Sequence, residues 1–89
     1  MNEKATINME FIYSEGCPDC PPAKDIVERV KDDYEQLDVD YVEVQDEPDK
    51  IHEFDITHVP TIIINGNVEF VETLTEKKLR ARLEEIING

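Results

Sequence analysis

The only two cysteines of the chain, Cys17 and Cys20, lie within Gly16-Cys17-Pro18-Asp19-Cys20-Pro21-Pro22. Two thiols at this spacing can open and close a disulfide, supply half of a metal site, or sit inert. Their position between an apparent strand and an apparent helix favours the first use. A helix N-terminus carries unpaired N–H groups and the positive end of the helix dipole, so a thiol there ionises more readily, and the thiolate is the attacking species. Cys17 comes first and is expected to be the exposed nucleophile. Cys20, one turn further in and partly under the sheet, is expected to attack the mixed disulfide and release the reduced substrate.

The residues between and after the cysteines tune this chemistry. The Asp19 carboxylate opposes a Cys17 thiolate and offsets part of the dipole. Destabilising the reduced form moves the pair towards the reducing end of the scale, as suits a reductant. Pro18, Pro21 and Pro22 crowd the turn. If Pro18 were the first helical residue, the other two would lie where intrahelical bonds begin, so an irregular first turn is expected, with regular helix from about Pro22. The Cys20 N–H is expected to remain available to the Cys17 sulfur.

Two other readings of the same thiols stay open. A metal or iron–sulfur module could use them, but His52 and His58 are the only histidines, and thirty-one residues separate Cys20 from His52, far from compact zinc-finger spacing. An inert pair in a binding module is the other. His58 reads more readily as an exposed loop histidine than as a catalytic group, and His52, in an acidic stretch, more readily still.

The elements around the pair follow from periodicity. Ile7, Met9, Phe11 and Tyr13 alternate along one face of a strand. Ala23, Ile26, Val27, Val30, Tyr34 and Leu37 fall on one helical face, with Lys24, Asp25, Glu28, Lys31 and Asp32 opposite. Residues 39–45 are rich in β-branched and aromatic types and stop at Asp46-Glu47-Pro48, which predicts a second strand, with a short helix from about Pro48 to Phe54. Thr61 to Ile64 reads as a strand covered on both faces. Asn65-Gly66 is a type I′ hairpin signal, and Asn67 to Val71 returns antiparallel as an alternating strand. Thr75 caps a last helix, Leu74 can staple onto Leu79, and Leu79, Leu83, Ile86 and Ile87 form its buried face, ending at Asn88-Gly89. The order β-α-β-α-β-β-α predicts an α/β fold with a mixed four-stranded sheet and helices on both faces.

Composition narrows the partners. Eighty-nine residues make one domain, 1–89, with 9 Lys+Arg against 22 Asp+Glu and a formal charge of −13. Such a chain is repelled by a phosphate backbone, so nucleic acid is excluded as a partner. Its longest apolar runs are three residues, against the roughly twenty of a membrane span, and its first fifteen residues lack the apolar stretch of a signal peptide. A cytoplasmic location is expected. The acids concentrate between Asp32 and Asp55, while Lys77, Lys78, Arg80 and Arg82 lie near the C-terminus, so one end is expected to be much more negative than the other. The acid excess reads first as a solvated, solubilising surface, ahead of a docking face or salt adaptation.

The order of elements, Cys17-Pro18-Asp19-Cys20 after the first strand, and Val59-Pro60-Thr61 before Ile62 to Ile64 together resemble the thioredoxin/glutaredoxin superfamily, from Ile7 to the end of the chain. The closest likeness is to small, glutaredoxin-size thioredoxins of archaea and some bacteria. The resemblance implies a thioredoxin-like fold with Pro60 in cis beside the cysteines. It also implies that Val59, Pro60 and Thr61 meet the substrate, the backbone of Val59 pairing with an extended segment. Main-chain pairing of this kind tolerates varied sequences and points to protein disulfides.

The chain departs from both branches of that superfamily. Ordinary thioredoxins have Trp before the first cysteine and Gly-Pro between the two, where this chain has Gly16 and Pro18-Asp19. Their buried Asp, proton acceptor for the resolving thiol, corresponds to Phe11, so water or another group, Glu15 being a candidate, must handle the proton. Glutaredoxins share the C-P-x-C pattern but bind glutathione through basic residues and a Gly-Gly, then Asp, pattern. Here Val71-Glu72-Thr73-Leu74 and Glu15 occupy those places, and a negatively charged tripeptide is poorly received.

The resulting expectation is a protein-disulfide reductase with Cys17 attacking, Cys20 resolving, Pro18 and Asp19 tuning the potential, and no bound cofactor or metal. A flavin-dependent thioredoxin reductase recharges it, and it acts as a monomer. The alternatives are a glutathione-dependent glutaredoxin and the metal or iron–sulfur module.

Overall fold

A computed structural model describes residues 6–89. The first five residues, part of the segment read above for a signal peptide, lie outside the described residues. The strands are β1 (Ile7–Tyr13), β2 (Leu37–Glu43), β3 (Thr61–Ile64) and β4 (Asn67–Val71); the helices are α1 (Cys20–Lys31), α2 (Pro48–Glu53) and α3 (Glu76–Asn88). The sheet order is β2-β1-β3-β4, parallel between β1 and β2 and antiparallel elsewhere.

The strand alternation of β1 decides the layers. Ile7, Met9 and Phe11 face α1 and α3 and pack with Val27, Val30, Ile62, Leu79 and Leu83. Ile12 faces the other way, with Val42 and Ile63, and is covered by Ile51, Phe54 and Ile56 of α2 and its exit loop. Helices therefore lie on both faces. All four residues of β3 are buried, which is why that strand is apolar without alternation. Each fully buried Phe, Leu, Ile or Val side chain contributes about 1.5–3 kcal/mol.

The β3–β4 turn bears out the Asn-Gly signal: Asn65 and Gly66 have φ of 51° and 84°, the signs a type I′ turn requires. The Thr75 side chain accepts a hydrogen bond from the Lys78 N–H at 3.2 Å, capping α3. Leu74 packs on the core beside it.

Five boundary expectations are corrected. Leu37 does not extend the α1 face: the helix ends at Lys31, and Leu37 opens β2 opposite Ile7. Tight turns at Asp33 and Tyr34 unwind the chain, and Leu37 reaches the same core from the strand, so its spacing matched the helix without belonging to it. β2 consequently runs Leu37–Glu43 rather than over 39–45; a Glu43 carboxylate oxygen accepts the Gln45 N–H and turns the chain away. Regular helix begins at Cys20, two residues before Pro22. Pro21 and Pro22 then occupy the second and third helical positions, whose N–H groups would have no intrahelical partner, and the first bond runs from Ala23 N–H to the Asp19 carbonyl. Ile87 is exposed rather than buried, because its direction diverges from the Leu79–Leu83 line in the last turn. β4 does not simply alternate: a register irregularity opposite Ile62 and Ile63 puts an extra residue, Glu69, between Phe70 and Val68. A bulge of this kind lets neighbouring residues share a face, and Glu69 meets Arg82 of α3 through two bonds, 2.8 and 3.0 Å.

The charges are also less segregated than their order along the chain. Arg80 of α3 bonds Asp33 of the acidic stretch at 2.8 Å and Glu76 at 3.0 Å, and Glu76 also takes Arg29 of α1. These two arginines hold the Glu76 carboxyl below its ordinary pKa. The network ties the two helices of one face together across their exposed edge.

Candidate functional site

The cysteines sit where β1 ends and α1 begins. Gly16, at φ 83°, turns the chain out of the strand. A bond from the Cys17 N–H to the Ser14 carbonyl at 3.2 Å closes that turn. Pro18 and Asp19 form the exposed tip, and Cys20 is the first residue of α1. The two sulfurs are joined as a disulfide, with Cα atoms 5.4 Å apart. Cys17 is half-buried and Cys20 is 5% exposed. The Cys20 N–H donates to the Cys17 carbonyl oxygen at 3.4 Å, not to the sulfur, because the residues between form a tight turn ahead of the helix.

The loop before β3 comes to the same place from the opposite side of β1. The Val59–Pro60 peptide is cis, as the resemblance implies. The Val59 carbonyl oxygen lies 3.9 Å from the Cys17 Sγ. Among the described residues the Val59 N–H has no hydrogen-bond partner. Pro60 is fully buried and its carbonyl accepts the Glu72 N–H at 2.7 Å.

Thr61 differs from the expectation that it meets a substrate. It is 1% exposed, and its hydroxyl donates to the His58 carbonyl at 2.6 Å. That bond satisfies a buried hydroxyl and braces the loop that carries Val59. His58 is exposed, with Nε2 3.4 Å from a Glu72 carboxylate oxygen and Nδ1 2.9 Å from the Thr57 hydroxyl. His58 lines a hollow beside Val59, and among the described residues no cluster of three metal-ligating side chains occurs, at the cysteines or elsewhere.

Two depressions flank the cysteines. A shallow hollow of about 300 Å³ runs beside Val59, between Ser14, Val44, Ile51, Ile56 and Thr57. On the α1 side, a cleft of about 360 Å³ opens over Cys17 and Cys20 and is walled by Phe11, Tyr13, Tyr41 and Lys24. Phe11 is 1% exposed, so the floor of this cleft is a phenyl ring rather than a carboxylate. Glu15 lies at its rim, exposed.

Lys24 and Tyr41 were not legible as site residues. The helical pattern placed Lys24 on the solvent face, and Tyr41 read as one more aromatic in a strand. The usable signal was that Lys24 stands one helical turn after Cys20.

Comparison with known proteins agrees with this geometry. The Thioredoxin domain family profile matches residues 7–86. Among curated relatives, the thioredoxin of Methanocaldococcus jannaschii is 40% identical over 74 residues, 82% of this chain and 87% of that protein. A probable thioredoxin of Methanothermobacter thermautotrophicus is 32% identical over the same shares. Among solved structures, the malaria parasite's thioredoxin-2, described as a component of its protein secretion machinery, superposes with a TM-score of 0.81 at 17% identity. It covers 94% of this chain and 86% of its own.

Proposed function

The chain belongs to the thioredoxin family of thiol–disulfide oxidoreductases, and on that premise we propose that it reduces protein disulfides, with Cys17 attacking and Cys20 resolving. The observation that carries this reading is the unequal exposure of the two cysteines: Cys17 is half-buried, beside Val59, whereas Cys20 is buried at the first residue of α1.

In the reduced protein the Cys17 thiolate attacks one sulfur of the substrate disulfide. The bond to Cys17 forms, the substrate S–S bond breaks, and the departing thiolate takes the electron pair and then a proton. An extended substrate segment pairs with the Val59 backbone, and a neighbouring side chain enters the hollow beside it. Cys20 then attacks Cys17 Sγ and releases the second substrate thiol. Two electrons have moved from dithiol to disulfide, with no bound cofactor or metal required. A flavin-dependent thioredoxin reductase returns them. Pro18 and Asp19 set the potential from the exposed tip. The acidic surface disfavours nucleic acid, and among the described residues no helix is long and apolar enough to cross a membrane. The protein acts as a cytoplasmic monomer.

The glutathione-dependent alternative meets acidic residues where a negatively charged tripeptide would sit: Glu72 follows β4 beside Pro60, and Glu15 stands at the cleft rim. Insulin reduction separates the readings. With dithiothreitol as donor, the wild type is expected to reduce insulin, Cys17→Ser to be inactive, and Cys20→Ser to trap a mixed disulfide through Cys17. Turnover sustained by glutathione and glutathione reductase would favour the glutaredoxin reading. Stoichiometric metal in protein purified without chelator would favour the metal module. A reduction potential near or below the roughly −270 mV of thioredoxins supports a dedicated reductant; one near the roughly −200 mV of glutaredoxins does not.

A further inference from the structure

Reduction of a disulfide by a dithiol has a second half that the exposed cysteine cannot perform. Cys20 must lose its proton before it can attack, and burial favours the neutral thiol. The floor of its cleft is Phe11, which can neither accept a proton nor answer a charge.

Lys24 stands four residues after Cys20 on the same face of α1. Helical side chains lean towards the N-terminus of their helix, and Lys24 lines the same cleft as Cys20. Its Nζ lies 5.1 Å from the centre of the Tyr41 ring. That ring is held from two directions. It packs tilted against Phe11 with centroids 5.7 Å apart, and its hydroxyl donates to a Glu28 carboxylate oxygen. A fixed aromatic face attracts an ammonium and keeps it at the cleft shared with Cys20.

We propose that Lys24, held over Tyr41, is the positioning charge for the buried Cys20 sulfur, lowering the proton affinity of the resolving thiol and speeding release of the reduced substrate. The proposal rests on the reading of Cys20 as the resolving cysteine. Lys24 is neither the donor nor the acceptor of a proton in this step. Cys20 gives its proton to water in the cleft, and the resulting thiolate attacks Cys17 Sγ. The Cys17–substrate S–S bond breaks, and the substrate thiolate leaves with the electron pair and takes a proton from water.

The other groups facing Cys20 do not supply this charge. Tyr13 of β1 and Tyr41 of β2 bring phenol hydroxyls, which supply no positive charge. Glu15 in the preceding loop, Asp19 at the turn and Glu28 behind Tyr41 are acids, which oppose a thiolate. Among the described residues lining the cleft, Lys24 is the one cation. An opposite charge within about 4–6 Å lowers an acid's pKa by about 1–3 units. Water reaches Lys24, so the expected effect on the thiolate fraction is smaller, about threefold to tenfold.

The test is stopped-flow reaction of the fully reduced, full-length protein with dithiobis(nitrobenzoate), from about pH 5 to 9, bracketing the ordinary thiol value near 8.5. The first thionitrobenzoate released reports attack by Cys17 and the second reports attack by Cys20. In Lys24→Met the second release is expected to slow about threefold to tenfold below its pH midpoint, and that midpoint to move up. The first release is expected to slow by less than the second, and Lys24→Arg to restore the second. An unchanged midpoint in Lys24→Met, or equal slowing of both releases, overturns the role of Lys24, as does failure of Lys24→Arg to restore the rate. If the wild type itself releases no second equivalent, the resolving role of Cys20 fails and the proposal fails with it.

Discussion

The Cys17 Sγ lies 3.9 Å from the Val59 carbonyl oxygen. This contact joins the two sequence motifs, forty-two residues apart, into one surface. It also sets a condition on the chemistry. In the reduced protein the Cys17 thiol can donate to that carbonyl, and a bond to the neutral form works against ionisation. The helix N-terminus works in the other direction. On the proposed reading, the reactivity of Cys17 is the balance of these nearby dipoles with the charge of Asp19.

Asp19 makes no side-chain capping bond and is exposed, so its proposed action on Cys17 is that of a charge rather than of a structural prop. Asp19→Asn is expected to lower the Cys17 pKa and make the potential less negative, by up to about 30 mV, the equivalent of tenfold in the exchange constant. The difference should shrink in high salt. Thiol counting by mass after equilibration with graded dithiothreitol measures it; identical pKa and potential in the two proteins would remove Asp19 from the tuning of the pair.

Leu79 is completely buried between α3 and the sheet, in contact with the core that supports β1 and hence the cysteine turn. Leu79→Ala is expected to cost about 2–5 kcal/mol, through lost burial and the cavity left behind. Urea unfolding gives the number. A loss under about 1 kcal/mol would mean that α3 settles into the space, an outcome that close packing opposes.

The cap of α3 is a separate, smaller contribution. Thr75→Ala removes the acceptor for the Lys78 N–H and should cost about 1 kcal/mol, while Thr75→Ser should cost little. Equal melting temperatures for Ala and wild type would show that the Leu74 contact, and not the hydroxyl, starts the helix.

Two tertiary hydrogen bonds make stability depend on alkaline pH. Lys50 of α2 bonds the Glu10 carboxylate of β1, and this bond foremost raises the Lys50 pKa above its ordinary 10.5. The Tyr34 hydroxyl donates to Glu84 at 2.7 Å, which raises its pKa above 10.0. In both, folding favours the protonated form. The stabilisation is therefore complete below the ordinary values and is lost as pH rises above about 10 through the raised ones. Lys50→Met leaves Glu10 half-buried without its partner and should cost about 1 kcal/mol at neutral pH, between exposed and buried pairs. Lys50→Met/Tyr34→Phe should show a shallower decline above pH 10 than the wild type in urea unfolding. Parallel curves would count against both linkages.

Much of this protein was legible before its coordinates. Local rules governed the two strands of the Asn65-Gly66 hairpin, the Thr75 cap, the burial of Thr61 to Ile64, and the α/β order with helices on both faces. Each depends on residues within a few positions of one another or on a side-chain period. The Cys17-Pro18-Asp19-Cys20 turn was legible for the same reason, since its chemistry follows from two thiols at a strand-to-helix junction. Leu37 and Ile87 were misplaced where a local period was extended past the point at which the element or its buried face ends, and the start of α1 was set too late because Pro21 and Pro22 occupy positions that need no intrahelical N–H bond. What only the tertiary structure decided is which distant side chains share a space. Parallel pairing of β2 with β1 puts Tyr41 beside Phe11 and under Lys24, and the β3 loop brings the Val59 carbonyl to Cys17. No period along the chain encodes those approaches, because they are set by strand order and by the closing of the two layers on β1.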